Sequence, residues 1–505
     1  MDIQVIRENA LNINRGMYVA WMGNTLSDAN ATALLASGAA VSIVSQPYSS
    51  DIPIPISSAG FAAIQAAGTP SDAGLQYKVN DVTPNIIYFW NGTTYAALGS
   101  GGGGEVPAYT GQVATRCYYP RNKDATNTQG MYRSFHIARD AITSLKVEFP
   151  NVMGVNGTTT PSGSGQDVGS GGAMNITASV EYPAGTFTQL KFSGVAQGSI
   201  PDVSLLQSDA LAVTIPKNAR FWIRSYVVCQ GSGRLLTFLT TTSNNNQNVL
   251  GEAANYGTTG ITDLTLGGNI SNTVAGGNIY MPTRILGNTA KRSFLGFGDS
   301  KMAALSTLGN KDQSGDVGEI FPSIGKTHAY TSLAVGGDLV TQMTANSTVR
   351  KTFIGSNFTD VILQAGINDI TNGVSAADLL TATNVLANLA IAAGLRVWKC
   401  TIAPSATSSD SFATYANQTV AANEAVRTAY NDLIRNEVRT DNGGYIDIAD
   451  IMEVGPSGFP KRNSGRWMFG GTGDPNAFTF DGLHESSQGN KVIERTGNIR
   501  ATLGL

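Results

Sequence analysis

Residues that cooperate in nucleophilic catalysis occur at two distant places in this chain. Ser300 ends the motif Gly-Asp-Ser (298–300), which directly follows the apolar run 294–297, while Asp481 and His484 lie three residues apart much later. In such a set the histidine removes the proton of the serine hydroxyl and the carboxylate orients the imidazole. The chemistry that these residues predict is attack on a carbonyl carbon, as in ester hydrolysis.

The tetrahedral intermediate of this reaction carries a negative charge, which hydrogen-bond donors must stabilise. The candidate donors are the backbone N–H of Ser300, the side-chain amide of Asn368 in Gly-Ile-Asn-Asp (366–369), and a glycine N–H. We assign the glycine to Gly337, and its neighbour Gly336 remains the alternative. The predicted oxyanion hole is therefore formed by Ser300, Gly337 and Asn368.

Each of these motifs alone is also common in ordinary turns. The chain contains only three histidines, so the pairing of His484 with Asp481 is informative. We interpret His136, in a β-rich segment, and His328, in a polar loop, as structural or surface residues. The three cysteines are far apart and form neither a zinc motif nor a disulfide framework. We therefore expect no metal and no cofactor.

The sequence from about residue 291 predicts the elements that position Ser300. Apolar strands at 361–365 and 395–402 alternate with helical patterns at 375–394 and 421–438, which is typical of a parallel sheet in a doubly wound α/β domain. Active sites of such sheets lie beyond the carboxyl ends of the strands. Ser300 follows a strand and precedes a predicted helix, so its amide lies where a helix N-terminus favours negative charge.

The rest of the chain predicts a multi-domain protein. Residues 105–290 contain short runs of alternating polar and apolar residues between Gly, Ser, Asn and Thr turns, which indicates an antiparallel β-sandwich. Residues 1–98 end in two strand-like pieces, the second closed by an Asn91-Gly92 turn signal, and predict a small β-containing module. The glycine-rich segment 99–104 is a predicted flexible linker, and the α/β domain spans 291–505.

Composition excludes several classes of partner. The net charge is −3 and only 14% of residues are charged, so no long-range attraction to a phosphate backbone exists and nucleic acid is not an expected partner. The most apolar stretch, 31–44, is too short to span a bilayer, and we expect no membrane association. The start of the sequence shows no charged leader followed by an apolar core, so we expect no signal peptide.

The motifs, in their order, resemble those of the SGNH (GDSL-type) hydrolase superfamily. Ser300 matches the nucleophile block, Gly337 the glycine block and Asn368 the Asn block, while Asp481-Gly-Leu-His484 matches the C-terminal block. The resemblance covers 291–505 and implies a flavodoxin-like α/β/α fold that hydrolyses esters without metal. Many members remove acetyl groups from carbohydrates, and others are lipases or thioesterases.

Lys301 departs from this resemblance, because many members have a small or apolar residue after the nucleophile. We expect this lysine to bear on the substrate rather than on the chemistry. A lipase would carry apolar segments near its site, whereas 410–417 and 464–478 are polar overall, which favours a sugar substrate.

The segment 77–92 is similar to small β modules of bacteriophage tail fibres and tailspikes. This resemblance implies an enzyme of the virion, acting at the host cell surface, that removes O-acetyl groups from a host surface polysaccharide. It further implies that residues 1–98 attach to phage tail or baseplate proteins and that the chain forms a homotrimer. The alternatives are an ordinary accessory module at 1–98, a non-catalytic receptor-binding fibre whose hydrolase-like domain holds glycan, and a secreted bacterial carbohydrate esterase or lipase.

Overall fold

The computed structural model describes the backbone of four strands before residue 100 and most of the chain after residue 108. The described ranges are 54–56, 76–79, 86–90, 95–98, 109–155, 165–238, 251–271, 279–303, 314–355, 357–439 and 441–505. The chain divides into two compact units, one of Met1–Pro107 with Arg500–Leu505 and the other of Ala108–Ile499. The predicted linker at 99–104 lies outside the described residues.

The N-terminal unit contains a four-stranded sheet in the order β1-β2-β3-β4. Its strands are β1 (Ile54–Ile56), β2 (Gln76–Val79), β3 (Ile86–Trp90) and β4 (Tyr95–Leu98). β1 is parallel to β2, and the other pairs are antiparallel. The two predicted strand-like pieces are confirmed as β2 and β3, while the Asn91-Gly92 turn is outside the described residues.

Most strands of the central segment form two antiparallel sheets, as its alternating pattern predicts. The strands of this segment are β5 (Tyr109–Gln112), β6 (Cys117–Tyr118), β7 (Asn122–Lys123), β8 (Gln129–Ile137), β9 (Ile142–Asn151), β10 (Met153–Gly154), β11 (Asp167–Val168), β12 (Met174–Glu181), β13 (Phe187–Gln189), β14 (Gln197–Ile200), β15 (Ser204–Gln207), β16 (Leu211–Ile215), β17 (Arg220–Cys229), β18 (Leu236–Thr237), β19 (Ala253–Gly257) and β20 (Arg284–Thr289). β10 with β11 and β7 with β18 form two further, two-stranded antiparallel sheets. One large sheet has the order β13-β12-β17-β8-β19 with β14 on β12, and the other has the order β15-β9-β20-β5 with β16 on β9. Phe149 of β9 stacks on Tyr280 with ring centroids 6.3 Å apart, and Tyr280 contacts Tyr132 of β8 at 6.0 Å. Buried aromatic rings therefore join the two large sheets into one core.

The C-terminal segment forms a parallel sheet with helices. Its strands are β21 (Ser293–Gly298), β22 (Ala329–Ser332), β23 (Asp360–Gln364), β24 (Arg396–Cys400), the small hairpin β25 (Ala406–Ser408) and β26 (Gln418–Val420), and β27 (Gly444–Ile446). The helices in the described residues are α1 (Ser300–Ala303), α2 (Phe321–Ile324), α3 (Val340–Asn346), a 3-10 turn (Arg350–Phe353), α4 (Ile367–Thr371), α5 (Ala376–Ala392), α6 (Glu424–Arg435), α7 (Ile448–Met452), α8 (Ser487–Thr496) and α9 (Asn498–Leu503).

The parallel sheet has the order β27-β24-β23-β21-β22-β6, with every neighbouring pair parallel. If its five strands after residue 291 are numbered along the chain, their order is 2-1-3-4-5, the flavodoxin-like arrangement. The sixth strand, β6, comes from the central segment and pairs with β22 through Thr331 and Cys117. The sheet therefore continues across the predicted boundary between 290 and 291.

Strand β21 is buried on both faces, which explains its continuous apolar sequence. Leu295 and Phe297 belong to a core that includes Leu386 of α5. On the opposite face, a Cβ added at Gly296 would lie 2.6 Å from the Phe321 ring of α2. Helices thus cover both faces of the central strand, and only glycine allows α2 to approach so closely.

Helix α5 lies within the predicted helical pattern 375–394. Ser375 is its N-cap, and the side chain of Ser375 accepts a hydrogen bond from the Asp378 N–H at 3.1 Å. The helix ends before Gly394, whose φ of +79° lies in the left-handed region. Within the described part of the chain, no helix combines the length and the apolar character needed to cross a bilayer.

Candidate active site

The candidate site lies where the strand order of the parallel sheet reverses. Ser300 directly follows β21, Gly337 lies after β22 and Asn368 lies after β23. Parallel strands place their carboxyl ends on one edge of a sheet, and ligands bind at the crevice where the order reverses. The topology therefore gathers the three predicted oxyanion-hole residues at one edge.

The turn into α1 depends on Gly298. A Cβ at this position would come within 2.6 Å of the Met302 Cβ and 2.9 Å of the Gln364 carbonyl oxygen. Real Cβ atoms do not approach that closely, so a larger residue would push α1 away from β21. This shows that glycine is required at position 298 and explains how Ser300 begins a helix immediately after a buried strand.

The structure brings Ser300, His484 and Asp481 into a continuous hydrogen-bonded row. The Ser300 Oγ is 2.8 Å from His484 Nε2, and His484 Nδ1 is 2.7 Å from Asp481 Oδ2. A carboxylate only accepts hydrogen bonds, so Nδ1 donates to Asp481. When the ring is neutral, Nε2 is then free to accept the hydroxyl proton of Ser300, as a general base must.

Asp481 is held as a carboxylate by the loop that carries it. Its Oδ1 accepts hydrogen bonds from the N–H groups of Leu483 and His484 at 2.9 and 2.7 Å. Burial alone would raise the pKa of Asp481, but the hydrogen bonds from the His484 ring and from these amides outweigh it and lower the pKa. The orienting group therefore stays charged when the imidazole takes up a proton.

Asn368, which follows β23, contacts the loop 333–339 that carries Gly337 and is called the oxyanion loop below. Its Nδ2 donates a hydrogen bond to the carbonyl oxygen of Asp338 at 3.0 Å, and a side-chain amide has a second N–H to offer. Gly337, the residue before Asp338, has a φ of +71°, where glycine is favoured. Gly336 does not show a left-handed φ, so Gly337 is the position at which the backbone turn requires glycine.

Asp369 has a role that the sequence did not indicate. Its carboxylate accepts hydrogen bonds from the N–H groups of Val340 and Thr341 at 2.8 and 3.0 Å, so it caps helix α3. Burial raises the pKa of Asp369 although these hydrogen bonds oppose the shift. The two polar residues of Gly-Ile-Asn-Asp thus hold both ends of the contact with the oxyanion loop. Asn368 hydrogen-bonds Asp338 in the loop, and Asp369 hydrogen-bonds the start of α3, which follows the loop.

Asp299, the middle residue of Gly-Asp-Ser, faces inward. Its Oδ1 accepts the N–H of Lys301 at 3.0 Å. Burial raises the pKa of Asp299 to about 6, although that hydrogen bond and the Lys301 charge lower it. Asp299 therefore supports the turn beneath the nucleophile and does not form part of the hydrogen-bonded row.

The expectation that Lys301 bears on the substrate is wrong. Its side chain is 1% exposed, and its Nζ lies 3.0 Å from Glu485 Oε1 and 3.4 Å from Glu319 Oε1. The ammonium group also lies 5.0 Å from the ring centroid of Trp467. A lysine enclosed in this way cannot contact a ligand. Its ion pair with Glu485 instead joins α1, which begins at Ser300, to the residue that follows His484.

The loop carrying Asp481 and His484 is supported from below by Trp467 and the β25–β26 hairpin. Trp467 is fully buried, and its Nε1 donates to the Gly482 carbonyl oxygen at 2.9 Å. A Cβ at Gly482 would lie 1.8 Å from the Ala406 carbonyl oxygen. Residue patterns gave no signal for this role of Trp467, because the contact joins segments that are separate in sequence.

The two other histidines have partners outside the row formed by Ser300, His484 and Asp481. His136 is buried, and its two ring nitrogens hydrogen-bond Ser134 Oγ and the Thr115 carbonyl oxygen. Burial lowers the pKa of His136 to about 3. His328 contacts Thr327 and the Phe294 ring. The three cysteines are buried and unpaired with one another. Among the described residues, no group of three or more His, Cys, Asp or Glu side chains could hold a metal ion.

Solved structures similar to this chain include several ester hydrolases. A GDSL-like lipase from Bacteroides thetaiotaomicron is 15% identical, over 42% of this chain and 89% of its own, with a TM-score of 0.30. A member of the lipolytic G-D-S-L family from Veillonella parvula is 14% identical, over 41% and 96%, with a TM-score of 0.27. The SGNH-hydrolase family esterase AlinE4 is 13% identical, over 31% and 76%, with a TM-score of 0.23. No protein-family model and no curated protein matches the chain.

Proposed function

We propose that this protein is a serine ester hydrolase of the SGNH type. The observation that carries the proposal is the row from Ser300 Oγ to His484 Nε2 at 2.8 Å and from His484 Nδ1 to Asp481 at 2.7 Å. Random polar loops do not align a hydroxyl, an imidazole and a low-pKa carboxylate in this order, whereas acyl transfer requires it. The side chain of Ser300 lies at the start of a helix at the carboxyl edge of the sheet.

The reaction follows from the geometry in two steps. His484 Nε2 accepts the Ser300 proton as Oγ attacks the ester carbonyl, and the imidazolium then protonates the departing alcohol oxygen. Water, deprotonated by the same nitrogen, attacks the acyl-serine and releases the carboxylic acid. In both steps the developing oxyanion is stabilised by the N–H groups of Ser300 and Gly337 and by the Asn368 amide.

The proposed substrate is an O-acetyl group on a host cell-surface polysaccharide. Support comes from the sequence resemblance and from the polar loops 410–417 and 464–478. Trp467 is the largest apolar side chain of loop 464–478, but its ring is buried under Gly482 and therefore cannot contact an apolar substrate. The same proposal assigns the protein to a phage tail, with residues 1–98 attached to tail or baseplate proteins and the chain assembled as a homotrimer.

The experiment that tests the enzymatic proposal measures acetate release from purified surface polysaccharide of a susceptible host. Ser300→Ala should lower the rate by about 10³-fold or more, to the level that the oxyanion hole alone supports. Ser204→Ala is the matched control, because Ser204 is a partly exposed serine in the sandwich that hydrogen-bonds the Pro201 carbonyl oxygen. Its rate should equal that of the wild type.

The two outcomes separate catalysis from simple binding. If the wild type releases no acetate and Ser300→Ala infects normally while both still bind glycan, the chain is a receptor-binding fibre. If the wild type hydrolyses simple aryl esters but leaves every host polysaccharide intact, the hydrolase proposal stands and the polysaccharide substrate is wrong.

A further inference from the structure

We infer that the central β-sandwich segment, which includes the small β10–β11 sheet beside its two large sheets, is part of the catalytic unit, because Asp167 and Arg350 act as positioning residues for the oxyanion hole. This inference rests on the proposed ester hydrolysis. It assigns to the sandwich a role in transition-state stabilisation, in addition to any role in binding. The path runs from the oxyanion loop outward to the sandwich.

The first step is the main chain of Asp338. Its carbonyl oxygen accepts the hydrogen bond from Asn368 Nδ2 at 3.0 Å, and Asp338 is joined directly to Gly337 by a peptide bond. A displacement of Asp338 therefore moves the Gly337 donor and changes the orientation of the Asn368 amide together. The position of Asp338 therefore determines the positions of two of the three proposed oxyanion donors, the Gly337 N–H and the Asn368 amide.

The second step is the Asp338 side chain, which is bound on both oxygens. Arg350 Nη1 donates to Oδ2 at 2.5 Å, and the Gly165 N–H donates to Oδ1 at 3.0 Å. The side chains of Arg350 and Asp338 are both 0% exposed. Charge-assisted hydrogen bonds in a site without solvent are strong and directional, so the oxyanion loop has little freedom to shift.

The third step joins Arg350 to the sandwich through Asp167. Arg350 Nε donates to Asp167 Oδ1 at 3.1 Å. Asp167 Oδ2 accepts the N–H groups of Thr348, Val349 and Arg350 at 2.8, 2.7 and 3.1 Å, respectively. This carboxylate, which comes from strand β11, thereby fixes both the backbone and the guanidinium of Arg350.

A close approach of the backbones supports the same path independently. Strand β11 pairs with β10, with Asp167 opposite Gly154. A Cβ at Gly154 would lie 2.5 Å from Val335 Cγ2, in the segment that leads to Gly337. The sandwich thus packs directly on the oxyanion loop as well as reaching it through the buried charges.

The test compares two buried carboxylates of the sandwich in the full chain, with p-nitrophenyl acetate as the substrate. Asp167→Asn should lower kcat by about 10- to 100-fold with KM changed less than about twofold, because small displacements of positioning groups carry losses of this size. The control is Glu181→Gln. Glu181 accepts hydrogen bonds from Arg133 and Arg224 at 2.7 and 2.8 Å within the sandwich. Its kcat should stay within about twofold of the wild-type value.

A double-mutant cycle distinguishes positioning from a general loss of structure. In an Asn368→Ala background, where only the Gly337 donor is left for Asp338 to position, Asp167→Asn should lower kcat by a clearly smaller factor than in the wild-type background. An equal loss in both backgrounds overturns the inference, and so does a wild-type kcat in Asp167→Asn. If Asp167→Asn fails to fold by circular dichroism, the same cycle with Arg350→Lys decides, since lysine keeps the charge but cannot bridge two carboxylates as a guanidinium does.

Failure of this inference is separable from failure of the proposed function. A wild-type protein that does not hydrolyse p-nitrophenyl acetate contradicts the hydrolase proposal itself. An active wild type whose Asp167→Asn variant matches the Glu181→Gln control retains the hydrolase and removes only the role of the sandwich.

Discussion

Replacement of Lys301 by methionine should destabilise the protein strongly, although Lys301 touches no substrate. The change removes the cation from a buried cluster with Glu485 and Glu319, whose side chains are 2% and 0% exposed. At an effective dielectric constant of about 20, a pair of charges at these distances interacts by about 5 kcal/mol. Removing one partner of a buried ion pair lowers the free energy of unfolding by about 3–5 kcal/mol. Methionine keeps most of the apolar stem against Trp467, so the loss reports the charge.

The loss should depend on pH with a definite sign. Burial and the Glu485 carboxylate already raise the pKa of Glu319 well above its ordinary value, and loss of the lysine removes a charge that opposes this shift. A raised folded-state pKa contributes stability that is full below the unfolded pKa, near 4, and is lost as the pH rises. Because this pKa is higher still in Lys301→Met, the variant should keep losing stability at pH values where the wild type no longer does, so its deficit should widen at the alkaline end of a series from pH 5 to pH 9 and should nowhere narrow.

The assay is denaturant unfolding followed by tryptophan fluorescence, with Lys326→Met as the matched control. Lys326 forms a surface pair with Glu494, and its side chain is 49% exposed, so its loss should lower the free energy of unfolding by less than about 1 kcal/mol. If Lys301→Met is no less stable than Lys326→Met at pH 7.5, the cluster does not stabilise the site in the way described.

The site and the domain organisation lead to four more expected outcomes. Asp481→Asn should keep the fold and lower kcat by about 10⁴-fold, as in other serine triads whose orienting carboxylate is neutralised; full esterase activity would show that Asp481 does not orient His484. Asp299 has a pKa raised to about 6, so its stabilising effect is present below about pH 4 and is lost as the pH rises through 6. Asp299→Asn should remove this slope, worth about 3 kcal/mol, and an unchanged slope in unfolding curves between pH 4 and 7 would contradict the assignment. A chain that begins at Glu105 should remain soluble and hydrolyse p-nitrophenyl acetate, whereas an inactive product would mean that residues 1–104 help to build the site. Light scattering of the full chain should give about three times 52.8 kDa, and a monomer would count against the tail-fibre proposal.

The parts of the fold that could be predicted from the sequence are those with local causes. The helical pattern 375–394 and the apolar run 294–297 are written in adjacent residues, and α5 and β21 occur where they were predicted. The motifs around Ser300, Asn368 and His484 could be recognised for a similar reason. Each motif is a short run of particular residue types, and the order of the parallel strands then brought them to one edge of the sheet.

The features that could not be predicted depend on contacts between distant segments. Nothing in the two residues of β6 shows that they extend the parallel sheet beside β22. The burial of Lys301 depends on Glu319 and Glu485, which approach it from two other segments. Arg350 and Asp167 are likewise 183 residues apart. Charged residues are usually exposed, so a single sequence predicts the opposite of what these buried clusters show.

The pairing of β6 with β22 determines how such a protein can be recombined. A cut between residues 290 and 291 would leave the backbone of Ala329–Ser332 as an uncovered strand edge, and uncovered edges of apolar strands seed aggregation. Exchange of substrate specificity between related proteins would therefore have to transfer the chain from residue 108 onward as one unit. Changes in the central segment and changes in the C-terminal segment must then remain compatible with each other across this shared sheet.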